Sequence, residues 1–308
     1  ITKTFQSAFN ICDPFNFNYN LAETECLKLR IILYAVKERT IKHSEISVSD
    51  IVPDLFVNIH KELNKYVKNT NQSGINNINN EDDDNNSDGE ENIDFTNEEE
   101  VIAASIKKIT ERYRSKISDL FFYLIKTVHE CPKCQNVLKY TTKFVLLSGF
   151  YPDRAAKYLN KTDLNIIDLF KHYKKKRLYL DLNENCKNCG TIIKDVNLTK
   201  IFYTSPKNLI LEISNTNEDK YKLAIDEFIN IKDFVERTDI SIVEYKLIGA
   251  IFFEKNQDET KYISIYRNIQ INDGSWLCFN GNSIKKCSFN EIYNHKKLVI
   301  LFYTSENI

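Results

Sequence analysis

Cys131-Pro132-Lys133-Cys134 and, 51 residues further on, Cys186-Lys187-Asn188-Cys189-Gly190 are the stretches that decide how this 308-residue chain is read. In each, two thiols stand three positions apart, the spacing at which a tight turn brings two thiolates to one ion. Two such knuckles supply four sulfurs. That is a closed tetrahedral set suited to one structural zinc, Zn2+, whereas a catalytic zinc keeps a position for water. The separation is too long for a compact zinc ribbon, so the fold itself has to bring the knuckles together. Two disulfides or unpaired thiols are the other readings of the same four residues. Cys12, Cys26, Cys278 and Cys287 show no paired spacing and read as reduced core or surface thiols, which points to an intracellular compartment, nucleus or cytoplasm.

Working outward, the residues before the first knuckle read as helical and those after it mainly as strands. Asn20-Leu21-Ala22-Glu23 has the form of a capping box and opens an apolar helical segment to Arg39. Pro53 suits a first helical turn, with Phe56, Ile59, Leu63 and Tyr66 recurring behind it at spacings of three and four. Ile102, Ile106, Ile109, Tyr113 and Ile117 form a third stripe, with Glu98 to Glu100 at its start, where the helix dipole favours negative charge. All three stripes read as core packing. Runs rich in Ile, Val, Phe and Tyr at 143–147, 208–213, 245–253, 262–266 and 297–303 read as strands, with one helix near 163–173 among them. Helices first and strands later, without a βαβ rhythm, predict an α+β fold with a mainly antiparallel sheet.

The charge balance, 42 Lys+Arg against 43 Asp+Glu, hides a segregation. Eleven acidic residues and no basic ones lie in 69–100, a tract containing NNINNEDDDNNSDGEEN. Such a composition buries too little apolar surface to offset chain entropy and reads as a disordered insertion. Without it, 42 basic residues face 32 acidic ones, a balance of +10, with a local run at Lys171-His172-Tyr173-Lys174-Lys175-Lys176-Arg177. The bland reading of that run is a solvated face; the sharper one is a surface for nucleic acid or an acidic partner. The longest apolar runs, 120–125 and 298–303, are too short to span a bilayer. A chain that starts at Ile1 and has no Met reads as a piece of a longer polypeptide, which leaves targeting open.

The order of parts carries a resemblance. Ser118-Asp119-Leu120-Phe121 precedes the first C-x-x-C by ten residues, the second C-x-x-C follows, and then comes Ser205-Pro206-Lys207-Asn208-Leu209-Ile210-Leu211. This resembles the middle of the ubiquitin-specific proteases, papain-like cysteine deubiquitinases in which an "LF" helix end leads into zinc-bearing fingers. Tyr245-Lys246-Leu247-Ile248-Gly249-Ala250-Ile251 looks like the family's Y-x-L-x-G-V strand. Trp276-Leu277-Cys278-Phe279-Asn280 looks like its W-x-x-F-D/N turn, and 298–303 like its last strand. Thr4-Phe5-Gln6-Ser7-Ala8-Phe9-Asn10-Ile11 resembles the helix after the catalytic Cys. The implied architecture is one domain: a helical thumb from 1–68 and 101–125, the insertion at 69–100, zinc-bearing β fingers with a helix between the knuckles at 126–215, and an antiparallel-sheet palm at 216–308.

The resemblance also shows what is missing. The family's thiol nucleophile needs a His to activate it and an Asp or Asn to orient that His. Registering Gln6 on the family's L-Q places the nucleophile upstream of Ile1. The G-G-H-Y turn matches Glu259-Thr260-Lys261-Tyr262, so Lys261 stands in the His position and both glycines are absent; Asn280 stands in the orienting position. His43, His60, His129, His172 and His295 belong to other segments. Asp54 and Tyr262 are the positions that would meet the ubiquitin tail. The resemblance thus implies a catalytically inactive domain, a pseudoenzyme, that binds ubiquitin, a ubiquitin-like protein or a complex partner. Its alternatives are a non-ubiquitin-binding scaffold module of an RNA-processing, ribonucleoprotein complex, and an active deubiquitinase hydrolysing isopeptide bonds at the ubiquitin C-terminus.

Overall fold

The computed structural model describes residues 52, 55–56, 59, 94–112, 114–214, 221–239, 241–255, 260–267, 276–280, 283–293 and 297–305. The chain divides into two compact units, Ile1–Asn86 with Arg112–Ser118, and Ser87–Glu111 with Asp119–Ile308. Of the helices expected before residue 68, the described positions 52, 55, 56 and 59 are helical, with Ile59 buried. The capped segment from Asn20, the 4–11 motif, Asp54 and most of the 69–100 tract lie outside the described residues.

Helix α1 (Glu98–Arg112) carries the third stripe, but the stripe is not one continuous helix. The chain restarts as α2 (Lys116–Phe121), which ends on the Leu120-Phe121 pair of the motif. Ser115 and Ser118 make the break: the N–H of Ser118 donates to Ser115 Oγ at 3.2 Å and the N–H of Ser115 to Ser118 Oγ at 2.7 Å. That reciprocal pair satisfies helix-start donors that a continuous helix would have bonded internally. Within α1, Val101 and Ile102 are buried, while Ile106 is 46% exposed and does not join the core.

A four-stranded sheet follows, in the order β2-β1-β6-β5, from β1 (Tyr123–Glu130), β2 (Val137–Val145), β5 (Arg177–Asn185) and β6 (Ile192–Phe202), antiparallel throughout. The larger sheet runs β13-β12-β11-β10-β14-β7-β3, with β9 also pairing with β10. Its members are β3 (Leu147–Phe150), β7 (Asn208–Ile213), β9 (Phe228–Asn230), β10 (Glu244–Lys255), β11 (Thr260–Arg267), β12 (Trp276–Asn280), β13 (Ser283–Cys287) and β14 (Lys297–Thr304). Among the described strands only β3 with β7, and the small pair β4 (Asp163–Asn165) with β8 (Lys222–Ala224), run parallel. The fold is α+β with mainly antiparallel sheets, as the sequence predicts.

Between β3 and β5 lie α3 (Pro152–Leu159) and α4 (Ile166–Lys174). Helix α4 is the one expected near 163–173, whereas α3 is additional to that expectation. Pro152 starts α3 at a first-turn position and Asn160 ends it in the left-handed region at φ 52°, so local signals for it were present. Asn165 and Asp168 form a full capping box at the start of α4, which sets that helix three residues later than expected. Sheet membership also divides 126–215 differently from a single fingers segment, because β3 and β7 pair within the larger sheet.

The main core sits on that larger sheet. Phe150, Phe170, Phe202 and Tyr173 meet at ring-centroid distances of 4.9 to 5.5 Å, beside Leu209, Leu211, Ala250, Phe252, Leu301 and Tyr303. Two motifs read separately in the sequence meet here. The Tyr245 hydroxyl donates to the Pro206 carbonyl at 2.5 Å, and Ser205 Oγ donates to the Ile242 carbonyl. Gly249 allows a close approach at the β10 irregularity, since a Cβ there would lie 3.3 Å from the Ile265 carbonyl oxygen. No helix of the described residues is long and apolar enough to cross a membrane.

Candidate metal centre and the positions matched to catalytic residues

The β1–β2 and β5–β6 hairpins both turn through a cysteine knuckle, and because β1 pairs with β6 their tips are neighbours. The two knuckles share one backbone pattern. In the first, the Gln135 N–H donates to the Cys131 carbonyl and the Cys131 N–H to the Asn136 carbonyl, both at 2.9 Å. In the second, the Gly190 N–H donates to the Cys186 carbonyl at 2.8 Å and the Cys186 N–H to the Thr191 carbonyl at 2.9 Å. The residue after each second cysteine is left-handed, Gln135 at φ 59° and Gly190 at φ 67°. Only the second knuckle uses glycine for that conformation, so the first carries the strain a side chain meets there.

The four sulfurs lie within 4.8 Å of one another. Cys131 and Cys189 stand 3.8 Å apart and Cys134 and Cys186 3.6 Å apart, across the knuckles rather than within them. Four sulfurs at about 2.3 Å from a central zinc would stand about 3.8 Å from each other, whereas a disulfide needs about 2 Å. The spacing fits a tetrahedral ion and leaves all four cysteines as free thiols. Cys131 and Cys186 are buried with Ile193 and Val196 in a small cluster separate from the main core. Donors at the rim favour thiolates: the Thr191 hydroxyl and N–H hold Cys189 down at about 6, and the Asn136 N–H and Asn188 side chain lower Cys134. At Cys186 the Cys189 N–H pulls down, but burial and the adjacent thiols push the group up to about 11. A Zn2+ held by Cys131, Cys134, Cys186 and Cys189 therefore fits both the geometry and the donor set. Cys278 and Cys287 are half-buried against the main core and in no disulfide, and Cys12 and Cys26 lie outside the described residues.

The positions matched to the catalytic residues lie on adjacent strands. Asn280, the last residue of β12, pairs with Ile263 on β11, and Lys261 is two residues from Ile263 along the same strand. The backbone thus brings the two positions together, although 19 residues separate them in sequence. Tyr262 is half-buried with its ring 5.4 Å from that of Phe253. Asp54 lies outside the described residues. Of the histidines, His172 is buried on α4, where burial first and then Arg177, Lys175 and Arg154 hold it at about 4, against an opposing Asp153. His129 is half-buried on β1, its Nε2 3.0 Å from Thr141 Oγ1.

One charged cluster has no counterpart in the sequence reading. Lys126 on β1 is buried at 5% side-chain exposure and pairs with Glu98 of α1 and with Glu236, the latter at 2.6 Å. Its ammonium also stands 5.9 Å from the centre of the Tyr140 ring. Burial opposes the charge on Lys126, but the two carboxylates outweigh it and raise the group. The cluster anchors the end of the acidic tract, where the Tyr140 N–H also donates to the Phe95 carbonyl at 2.7 Å and Asn97 Oδ1 accepts from the Glu99 N–H at 3.1 Å. Residues 94–100 are therefore part of the fold, contrary to their inclusion in a disordered insertion.

Comparison with solved structures finds SAGA DUB modules. A module of a Ubp8 variant with Sgf11, Sus1 and Sgf73 superposes at TM-score 0.51 with 20% identity, covering 65% of this chain and 44% of that chain. Another, bound to monoubiquitin, gives 0.50 and 19%, covering 67% and 46%. A yeast SAGA module gives 0.50 and 20%, covering 66% and 45%. At these identities the likeness concerns the fold, and the chain spans less than half the length of these relatives. A search of curated proteins returned no match. The model of the ubiquitin carboxyl-terminal hydrolase family, however, matches residues 11–303, nearly the whole chain, and with the ubiquitin-specific-protease-like fold around it this chain belongs to that family.

Proposed function

We propose that this chain is a catalytically inactive ubiquitin-specific-protease-like domain that binds ubiquitin, a ubiquitin-like protein or a partner within a larger complex. The observation that supports the reading is that Lys261, which the family resemblance aligns with the general base, lies on β11 beside the strand that bears Asn280. An amine with an ordinary pKa near 10 is protonated at neutral pH and takes no proton from a thiol, and a thiol without a base is mostly unreactive. Asn280 then orients nothing. In the same reading Cys131, Cys134, Cys186 and Cys189 hold one structural zinc, which closes two hairpin tips and supplies no bond-breaking chemistry, while Asp54 and Tyr262 meet the ubiquitin tail. Retention of the fold without the base matches a binding role, and the SAGA modules bound to monoubiquitin and to ubiquitin aldehyde supply the analogy.

The test is a titration of isotope-labelled ubiquitin with the purified domain, followed by amide shifts. Shifts on the hydrophobic patch and C-terminal tail are expected; their absence at high micromolar domain would overturn ubiquitin binding. Incubation of the full-length protein with a ubiquitin C-terminal fluorogenic amide is expected to give no turnover. Measurable turnover would overturn inactivity.

A further inference from the structure

Most of the basic run after α4 is engaged locally. Lys171 pairs with Asp168, Lys174 donates to the Asp233 carbonyl at 2.9 Å, and Lys176 pairs with Glu130. Those contacts make most of the run a stabilised surface of the fold. Five other cations behave differently. Arg154 of α3, Lys175 just after α4, Arg177 of β5, Lys200 of β6 and Lys143 of β2 have no carboxylate partner among the described residues.

These five are contiguous although they come from distant parts of the sequence. Lys143 pairs with Ile125 on β1, Lys200 with Thr127 on β1, and Arg177 with Leu198 on β6. Ile125 and Thr127 alternate along one strand, as do Leu198 and Lys200, so Lys143, Lys200 and Arg177 share one face of the four-stranded sheet. From β2 across β1 and β6 to β5 is three strand spacings, about 14 Å. Beyond Arg177, which donates to the His172 carbonyl at 3.3 Å, the row continues to Lys175 and Arg154. Lys175 lies 4.0 Å from the centre of the Tyr158 ring, and Tyr158 is itself 45% exposed. Arg154, Lys143 and Lys200 are exposed, with Arg177 and Lys175 half-buried. Mutual repulsion is felt within the row: burial, then Arg177 and Lys143, lower Lys200, and Arg177, Lys175 and Arg154 depress His172 against Asp153.

We infer that this row, Arg154, Lys175, Arg177, Lys200 and Lys143, is a binding track for the phosphate backbone of single-stranded nucleic acid, with Tyr158 as a stacking platform beside it. Three features favour a nucleic-acid strand over an acidic peptide. The row is extended, so it suits a polyanion rather than a single acidic group. Its sheet part runs across the strands rather than along the free edges of β2 and β5, so a chain lying on it meets side chains rather than main-chain pairing groups. An exposed aromatic ring flanks it, as on single-strand binding surfaces. The inference stands apart from the ubiquitin reading, since none of its residues belongs to the metal centre or the catalytic positions.

The experiment is fluorescence anisotropy of the whole chain with a labelled 20-nucleotide oligouridylate between 50 and 200 mM salt. Five phosphate contacts predict a log–log salt slope of about −3.5, a loss of about 100-fold over that range. Arg177→Glu with Lys200→Glu is expected to weaken binding at least tenfold, and the exposed Lys143→Glu alone to weaken it severalfold without touching the core. Lys222→Glu, exposed on β8, is expected to bind as the parent does. An absence of binding at 50 mM salt would overturn the assignment, as would unchanged binding by Lys143→Glu together with the double variant. Displacement of the RNA by polyglutamate at equal charge concentration would also overturn it, in favour of an acidic polypeptide.

Discussion

His172 and Lys126 are both buried ionisable residues, and they carry opposite consequences for stability. His172 is held at about 4 in the fold against an ordinary 6.5, so it is buried neutral. The unfolded chain takes up a proton as pH falls below 6.5 while the folded chain does not. The stability contributed by neutral His172 is therefore complete above pH 6.5 and is lost as pH falls towards 4, by about 3 kcal/mol at most. Denaturant melts at pH 7 and pH 4.5 check this: His172→Leu is expected to flatten the pH dependence, and an unchanged slope would count against it. Lys126 works through partners. Burial pushes Glu98 up, but Lys126 more than offsets it. Lys126→Met would leave Glu98 and Glu236 facing each other, at a cost of about 1–3 kcal/mol, since both carboxylates are a third exposed and partly screened. Adding Glu98→Gln and Glu236→Gln is expected to recover most of the loss in a urea midpoint. The sequence names neither role, because a His in a basic run and a Lys in the middle of a strand look like surface residues until packing is known.

At the scale of elements, the start of α1 separates what composition reveals from what contact reveals. Composition gave 69–100 one character throughout. Yet Asn97 caps α1, Glu98 reaches Lys126, and the Phe95 carbonyl pairs with β2. A few tertiary contacts outweigh polar composition when they satisfy a helix start and a buried cation together. Two deletions distinguish the parts. One ending at residue 93 keeps the cap and the ion pair, whereas one ending at residue 100 removes both and is expected to lower stability by about 2 kcal/mol or more relative to the first. Equal melting temperatures would show that the contacts contribute nothing. Helix α3 is hidden for a related reason: its eight residues make only about two turns, too short a segment for periodicity to single out. Strands β7 and β14 were legible within a residue, because long β-branched and aromatic runs flanked by turn residues have few other uses.

For the whole molecule, the candidate metal centre sits in its own small apolar cluster at the hairpin tips, apart from the main core, which gathers the larger sheet and the opposite ends of β1 and β6. Loss of zinc should therefore loosen the hairpin tips first. Elemental analysis is expected to give one zinc per chain, with Cys131→Ser or Cys186→Ser losing the metal. On chelation, amide exchange is expected to rise at the two knuckles before it rises in β7 and β14; simultaneous loss of protection would mean that one cooperative unit includes the zinc. By itself the sequence determined the α+β class, the two paired-cysteine knuckles and the strand cores, because each depends on residue type at a local spacing. Only the tertiary structure decided that the thiols face each other across hairpins at tetrahedral distances, that Lys261 and Asn280 lie on neighbouring strands, and that Lys143, Lys200 and Arg177 share one face of the four-stranded sheet. Those facts depend on strand register, and register is set by packing between segments that local sequence does not encode.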